Sequence, residues 1–137
     1  MTRPDISLGD VALRFGMDGD ALRKPLSGVG QYIYQLCCEI EALLPAVSFF
    51  VYTRLPAERL VLPSARWQVR QEPWALARKL PSFLWLKTRG AVLARHDQLD
   101  VFWAGRTIHP GLGVARKMVV TVHDLNHRLV PETMERI

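Results

Sequence analysis

Hydrophobic positions along the chain come as short solid runs, interrupted early by one stretch of helical rhythm. Val11 to Met17 is apolar except for Arg14 and is bounded by Asp10 and Asp18, a pattern that predicts a buried strand. Gly19 to Leu26 contains Gly19, Asp20 and Pro25 and predicts a loop. A helix is predicted behind Ser27 as N-cap, because Val29, Ile33, Leu36, Cys37, Ile40, Leu43 and Leu44 recur at helical spacing; Pro45 ends it. Val47 to Thr53 is rich in aromatic and β-branched residues and predicts a second strand, completing a strand, helix, strand unit.

The middle of the chain is punctuated by Pro56, Pro63 and Pro73, with Trp67 to Arg70 as a short strand. Trp74 to Leu80 predicts a turn of helix, and Pro81 suits the first position of a helical segment running to about His96. Val101 to Ala104 forms a further apolar run. A loop with Pro110, Gly111 and Gly113 follows, then the clearest strand pattern of all, Lys117 to His123. Near-continuous apolar strands alternating with helical stretches indicate an α/β fold: a Rossmann-like, mostly parallel sheet with helices on both faces. At 137 residues the chain is one domain.

Charge modifies this picture locally. From Arg54 to Arg95 there are nine basic residues against Glu58 and Glu72 alone, which suggests either an anionic partner or a plain solvated face. Arg78, Lys79, Lys87 and Arg89 interleave with Trp74, Leu76, Leu80, Phe83, Leu84, Trp85 and Leu86, as in helices that lie on a membrane surface. An ordinary helix packed on the sheet has the same apolar stripe. Nucleic acid fits less well, since these aromatics fall on a helix stripe and not on a sheet platform. No run approaches the length of a membrane span, and Met1 to Asp10 lacks the apolar block of a secretory signal, so a cytoplasmic location is expected. Cys37 and Cys38 are adjacent on the helix and suit neither a mutual disulfide nor a zinc site; they read as a core residue and a half-exposed neighbour.

Chemistry is expected beyond the carboxyl ends of the strands, where open α/β sheets place their ligands. Ser27-Gly28-Val29-Gly30 opens the first helix, whose amides and dipole favour an anion such as phosphate. Ile33 stands where a dinucleotide fingerprint needs its third glycine, and no Gly-Lys-Ser/Thr follows, so neither standard nucleotide loop is present. His123 and Asp124 follow the last strand, where an imidazole can bond a substrate hydroxyl or serve as acid or base. A structural hydrogen bond for His123 and a capping role for Asp124 are the alternatives. Asp18-Gly19-Asp20 could hold a divalent cation, but an Asp-Gly turn is the simpler reading. His109 and His127 form no metal set with His123, and no metal is assigned.

Leu13 to Leu36, with Ser-Gly-Val-Gly-Gln-Tyr at its centre, and Val119 to Glu132, with Val-Thr-Val-His-Asp-Leu, together resemble the amino-terminal domain of group 1 glycosyltransferases, the family 4 type with a GT-B fold. The resemblance implies half of a GT-B architecture and a retaining transfer of sugar from a nucleotide-sugar donor to a saccharide or lipid-linked acceptor, as in polysaccharide synthesis. It further implies that Gly28 and Gly30 face the donor diphosphate, that His123 touches the donor sugar near the reacting centre, and that Asp18 and Asp124 support the site. No cofactor is implied, the nucleotide-sugar being a substrate. Trp103 departs from the pattern, standing where many relatives carry His. On this resemblance residues 1–137 form an incomplete acceptor-side domain, expected to be inactive without a carboxyl-terminal partner domain that binds the donor. The expected location is the cytoplasm, as a peripheral protein on the inner face of the membrane. The competing reading is a non-enzymatic α/β module that uses its basic face to bind an anionic partner or membrane surface.

Overall fold

The computed structural model describes residues 7–123. Five strands, β1 (Arg14–Asp18), β2 (Ser48–Thr53), β3 (Trp67–Gln71), β4 (Leu99–Ala104) and β5 (Ala115–Val120), form one sheet in the order β3-β2-β1-β4-β5. Every neighbouring pair is parallel, so the fold is the expected α/β, Rossmann-like class with all five carboxyl ends on one edge. Helix α1 (Gly28–Leu43) connects β1 to β2. The β3 to β4 crossover is a continuous helical run: α2 (Ser82–Trp85), a π-helical turn (Leu86–Gly90) and α3 (Ala91–His96).

Strand alternation divides the core between the two faces of the sheet. Phe49 and Val51 pack with Met17, Trp67 and Trp103 beneath Ile33 and Cys37 of α1. Their neighbours Phe50 and Tyr52 face the other way, packing with Leu99 and Phe102 against Trp85, Leu86, Ala91 and Ala94 of the crossover. Burial of each large side chain contributes about 1.5–3 kcal/mol. Cys37 is fully buried with its Sγ 3.6 Å from Met17 Sδ, and Cys38 is half-buried. Burial foremost, with Cys38 and Glu41 nearby, pushes the Cys37 thiol up to about 12.

Several boundaries differ from the sequence reading for physical reasons. Val11 to Leu13 do not join β1, whose pairing opens at Arg14 opposite Ser48, with the Arg14 amide donating to Asp100 Oδ2 at 2.8 Å. β4 starts earlier than predicted, at Leu99, and β5 runs from Ala115 to Val120, so Thr121 to His123 leave the strand as a rim segment. Pro81 sits one place before the helix, and the helical turn expected near Trp74 is a 3₁₀ turn at Ala77–Lys79. On α1, Leu43 is exposed and Val29 borderline, which narrows the apolar stripe to Ile33, Leu36, Cys37, Ile40 and Leu44.

Four of the nine residues in the basic block are tied to the fold itself. Arg66 donates to the carbonyls of Glu41, Leu44, Pro45 and Val47, closing the carboxyl end of α1. Arg70 pairs with Asp97 at 3.1 Å, Arg54 with Asp20 at 3.5 Å and Arg89 with Glu72 at 2.9 Å. Among the described residues no helix is long and apolar enough to cross a membrane.

Candidate functional site

Because all strands run the same way, Asp18, the loop after β4 and the segment after β5 meet at one edge of the sheet. Local sequence then shapes that edge. Asp18 ends β1 and caps a 3₁₀ turn, Gly19–Leu22, its Oδ1 accepting from the Asp20 amide at 3.1 Å. The Asp-Gly-Asp stretch is thus a turn. The turn packs under the start of α1, where a Cβ on Gly30 would lie 3.0 Å from the Ala21 carbonyl oxygen. Ser27 is the N-cap of α1, as expected, its Oγ accepting from the Gly30 amide at 3.0 Å.

Gly28 and Gly30 therefore differ in what they can offer a ligand. Gly30 is buried and its amide is already bonded to the cap. Gly28 is exposed, with open space where a Cβ would stand, and with Val29 it forms the tip of the helix. An anion meeting α1 end-on would meet the amides of Gly28 and Val29.

His123 reaches the same edge from β5. Its Nε2–H donates to the Gly105 carbonyl just past β4, which leaves Nδ1 outside that bond. Its ring stands edge-on to Tyr32 of α1, with 5.6 Å between ring centroids. The rim segment before it is held by Thr121, whose amide donates to the Ala104 carbonyl at 3.1 Å and whose Oγ1 accepts from Trp103 Nε1 at 2.9 Å. Trp103 is consequently a buried support of the rim, and its indole N–H serves the protein itself.

Beneath this rim lies a charged group. Asp18 is buried and accepts from Arg106 Nε at 2.9 Å and from Arg106 Nη2, while that Nη2 also donates to Ser82 Oγ at 3.0 Å. Asp20 stands 3.5 Å from Arg54 and 4.0 Å from Arg106. Burial raises the Asp18 carboxyl above the usual aspartate range, against the opposing pull of Arg106. Two carboxylates thus face two guanidiniums, so the group ties β1, β2, the β4 loop and the start of α2 together with its charges balanced.

The structure brings Gly28, Gly30, Asp18 and His123 to one edge, while Asp124 and His127 lie outside the described residues. His109 stands apart, its Nδ1 accepting from the Gly111 amide within its own loop. Arg106, Ser82, Arg54 and Tyr32 were not singled out in the sequence. The position of Arg106, two residues past an apolar strand, was the available signal for it. A cleft of about 700 Å³, lined by Arg14, Arg95, Gln98, Asp100, Val114 and Arg116, opens at the opposite edge, where the strands begin. It shares no residue with the rim, and strand-tip chemistry favours the rim. Compared with protein-family models, curated proteins and solved structures, the chain matches none of them.

Proposed function

We propose that this chain is the acceptor-side part of a retaining glycosyltransferase, transferring sugar from a nucleotide-sugar to a saccharide or lipid-linked acceptor. The observation that supports it is the convergence of the α1 tip and His123 on one sheet edge, joined through Tyr32 and the Gly105 carbonyl. In this reading the amides of Gly28 and Val29 stabilise the negative charge that develops on the departing diphosphate, which needs no metal. Gly30 contributes by letting the helix sit close to the turn beneath it, and its own amide stays with Ser27. His123 presents its Nδ1 to a sugar hydroxyl, while the Gly105 carbonyl fixes its ring. Asp18 acts at one remove, holding Arg106 and the β4 loop in place. A second domain that binds the nucleotide-sugar completes the active unit.

The test is nucleotide-sugar turnover by this chain co-expressed with a matching carboxyl-terminal donor-binding domain. Turnover should appear on complementation and fall by at least about tenfold in His123→Ala, the order of one hydrogen bond to a substrate hydroxyl. Turnover unchanged by His123→Ala removes the imidazole from the site, and no turnover in a correctly folded pair refutes the reading.

A further inference from the structure

Between Pro73 and His96 the chain carries five basic residues and no acidic one. The fold decides which of these charges face outward. Glu72, immediately before this stretch, is completely buried, and its carboxylate accepts from the Trp74 amide at 3.0 Å, from Trp85 Nε1 at 3.0 Å and from Arg89 at 2.9 and 3.0 Å. One carboxylate therefore fixes the segment after β3 beside α2 and the π-helical turn, and it cancels the charge of Arg89. Arg78 donates its Nε to the Glu72 carbonyl, a neutral group, and makes no ion pair among the described residues. Lys79 and Lys87 are exposed and make no ion pair among the described residues.

Large apolar side chains lie among these cations and are turned outward. Trp74 is 56% exposed, Leu76 62%, Phe83 54% and Leu84 40%. Lys87 follows Phe83 by four residues and Leu84 by three, which puts it on the same outward side of the helical run. The opposite side, Trp85, Leu86, Ala91 and Ala94, is already buried in the core. Among the described residues nothing covers these apolar side chains, and a grouped apolar patch of this kind marks an interaction surface.

We infer that Trp74, Leu76, Phe83 and Leu84, with Arg78, Lys79 and Lys87, form a docking surface for an anionic lipid bilayer. The cations meet the phosphate headgroups, and the indole and phenyl rings enter the boundary with the acyl chains. Long lysine side chains suit this, because their methylene stems lie along apolar surface while the ammonium stays in the headgroup layer. The inference is independent of the sugar-transfer reading.

Co-sedimentation of the 137-residue chain with vesicles tests it, using phosphatidylcholine alone and phosphatidylcholine mixed with phosphatidylglycerol. The wild-type chain should pellet with the anionic vesicles, remain soluble with the neutral ones and be released by high salt. Lys79→Ala/Lys87→Ala should weaken anionic binding about 30-fold, each lysine near the surface counting for about fivefold. Trp74→Ser/Phe83→Ser should also lose binding, although the Trp74 amide and the Glu72 contacts are kept; unchanged circular dichroism confirms that both variants fold. Equal binding to the two vesicle types, no binding to the anionic ones, or lysine variants that bind like wild type each overturn the inference. Binding that survives Trp74→Ser/Phe83→Ser, with a short single-stranded DNA competing vesicles off, assigns the surface to nucleic acid and overturns it as well.

Discussion

Replacing Glu72 tests most directly how this fold holds its crossover helix to the sheet. The side chain is 0% exposed, and its two oxygens accept four hydrogen bonds, two of them from the fork of Arg89. Glu72→Ala strands the indole N–H of Trp85, itself 2% exposed, and leaves Arg89 without its partner. Removing one member of a buried pair costs about 3–5 kcal/mol. The Arg89 side chain is 33% exposed and can turn to water, which places the expected loss near the lower end, about 3 kcal/mol. With a urea slope of about 2 kcal/mol per molar, the midpoint should fall by about 1.5 M. Urea unfolding followed by tryptophan fluorescence and by circular dichroism measures this. A companion Glu72→Met/Arg89→Met variant should lose less than the two single variants combined, since it removes both charges together. A midpoint within about 0.3 M of wild type for Glu72→Ala refutes the assignment of Glu72 as the tie.

The same group sets a pH dependence whose sign is opposite to what burial alone predicts. Burial is the largest single influence and pushes the Glu72 carboxyl upward, but hydrogen bonds from Arg89, the Trp74 amide and Trp85 together outweigh it, and the group settles below the usual glutamate range. The unfolded chain therefore takes up this proton at a higher pH than the folded chain. The stability contributed by Glu72 is fully present above the ordinary glutamate pKa and is lost as pH falls through the lower folded value. Glu72→Gln, which has no such proton, should flatten that part of the stability profile; an unchanged acid limb contradicts the reasoning.

Arg106→Leu leaves Asp18 buried without its countercharge and should cost about 3 kcal/mol at neutral pH. Asp18 already sits above the usual aspartate range, chiefly through burial, and an acid raised in the folded state holds its proton longer there, so acidification favours the fold. The deficit should shrink at mildly acidic pH, and a deficit of equal size at both pH values, measured by urea unfolding, contradicts this. Gly30→Ala places a Cβ 3.0 Å from the Ala21 carbonyl oxygen and 3.3 Å from Leu26 Cδ2, and should destabilise by about 1–3 kcal/mol. Gly28→Ala enters open space and should leave the midpoint unchanged or raise it by the equivalent of about 0.5 kcal/mol. Equal losses in the two variants would remove the distinction between a packing glycine and a tip glycine.

Elements whose signals are local were legible in the sequence. Ser27 and Pro45 bracket α1 because capping and proline sterics act within a turn of the residue concerned, and β2 is plain because Phe49, Phe50, Val51 and Tyr52 are buried on both sheet faces. Boundaries set by a distant partner were hidden. Asp100 reads as a strand breaker, yet it lies inside β4 and accepts from the Arg14 amide across the sheet. The π-helical turn had no periodicity of its own to reveal it.

The candidate site divides along the same line. His123 and the Ser27–Gly30 turn could be found because strand tips and helix starts can be placed from pattern alone. Arg106 was missed because its meaning lies in Asp18, 88 residues away, with which it forms a buried pair. Net charge misled for the same reason. Counted along the chain, nine basic residues from Arg54 to Arg95 describe one diffuse positive block. In the fold, Arg54, Arg70 and Arg89 are taken up by Asp20, Asp97 and Glu72, and Arg66 by the carbonyls closing α1. Internal pairing thus takes up four of the nine; Arg59, Arg78, Lys79, Lys87 and Arg95 stay exposed without an ion pair among the described residues, and Trp74 and Phe83, exposed as well, neighbour Arg78, Lys79 and Lys87 along the chain. A solvated face has no use for aromatic rings placed among its unpaired cations, whereas a headgroup layer accommodates both, and that coincidence is what sequence counting could not supply.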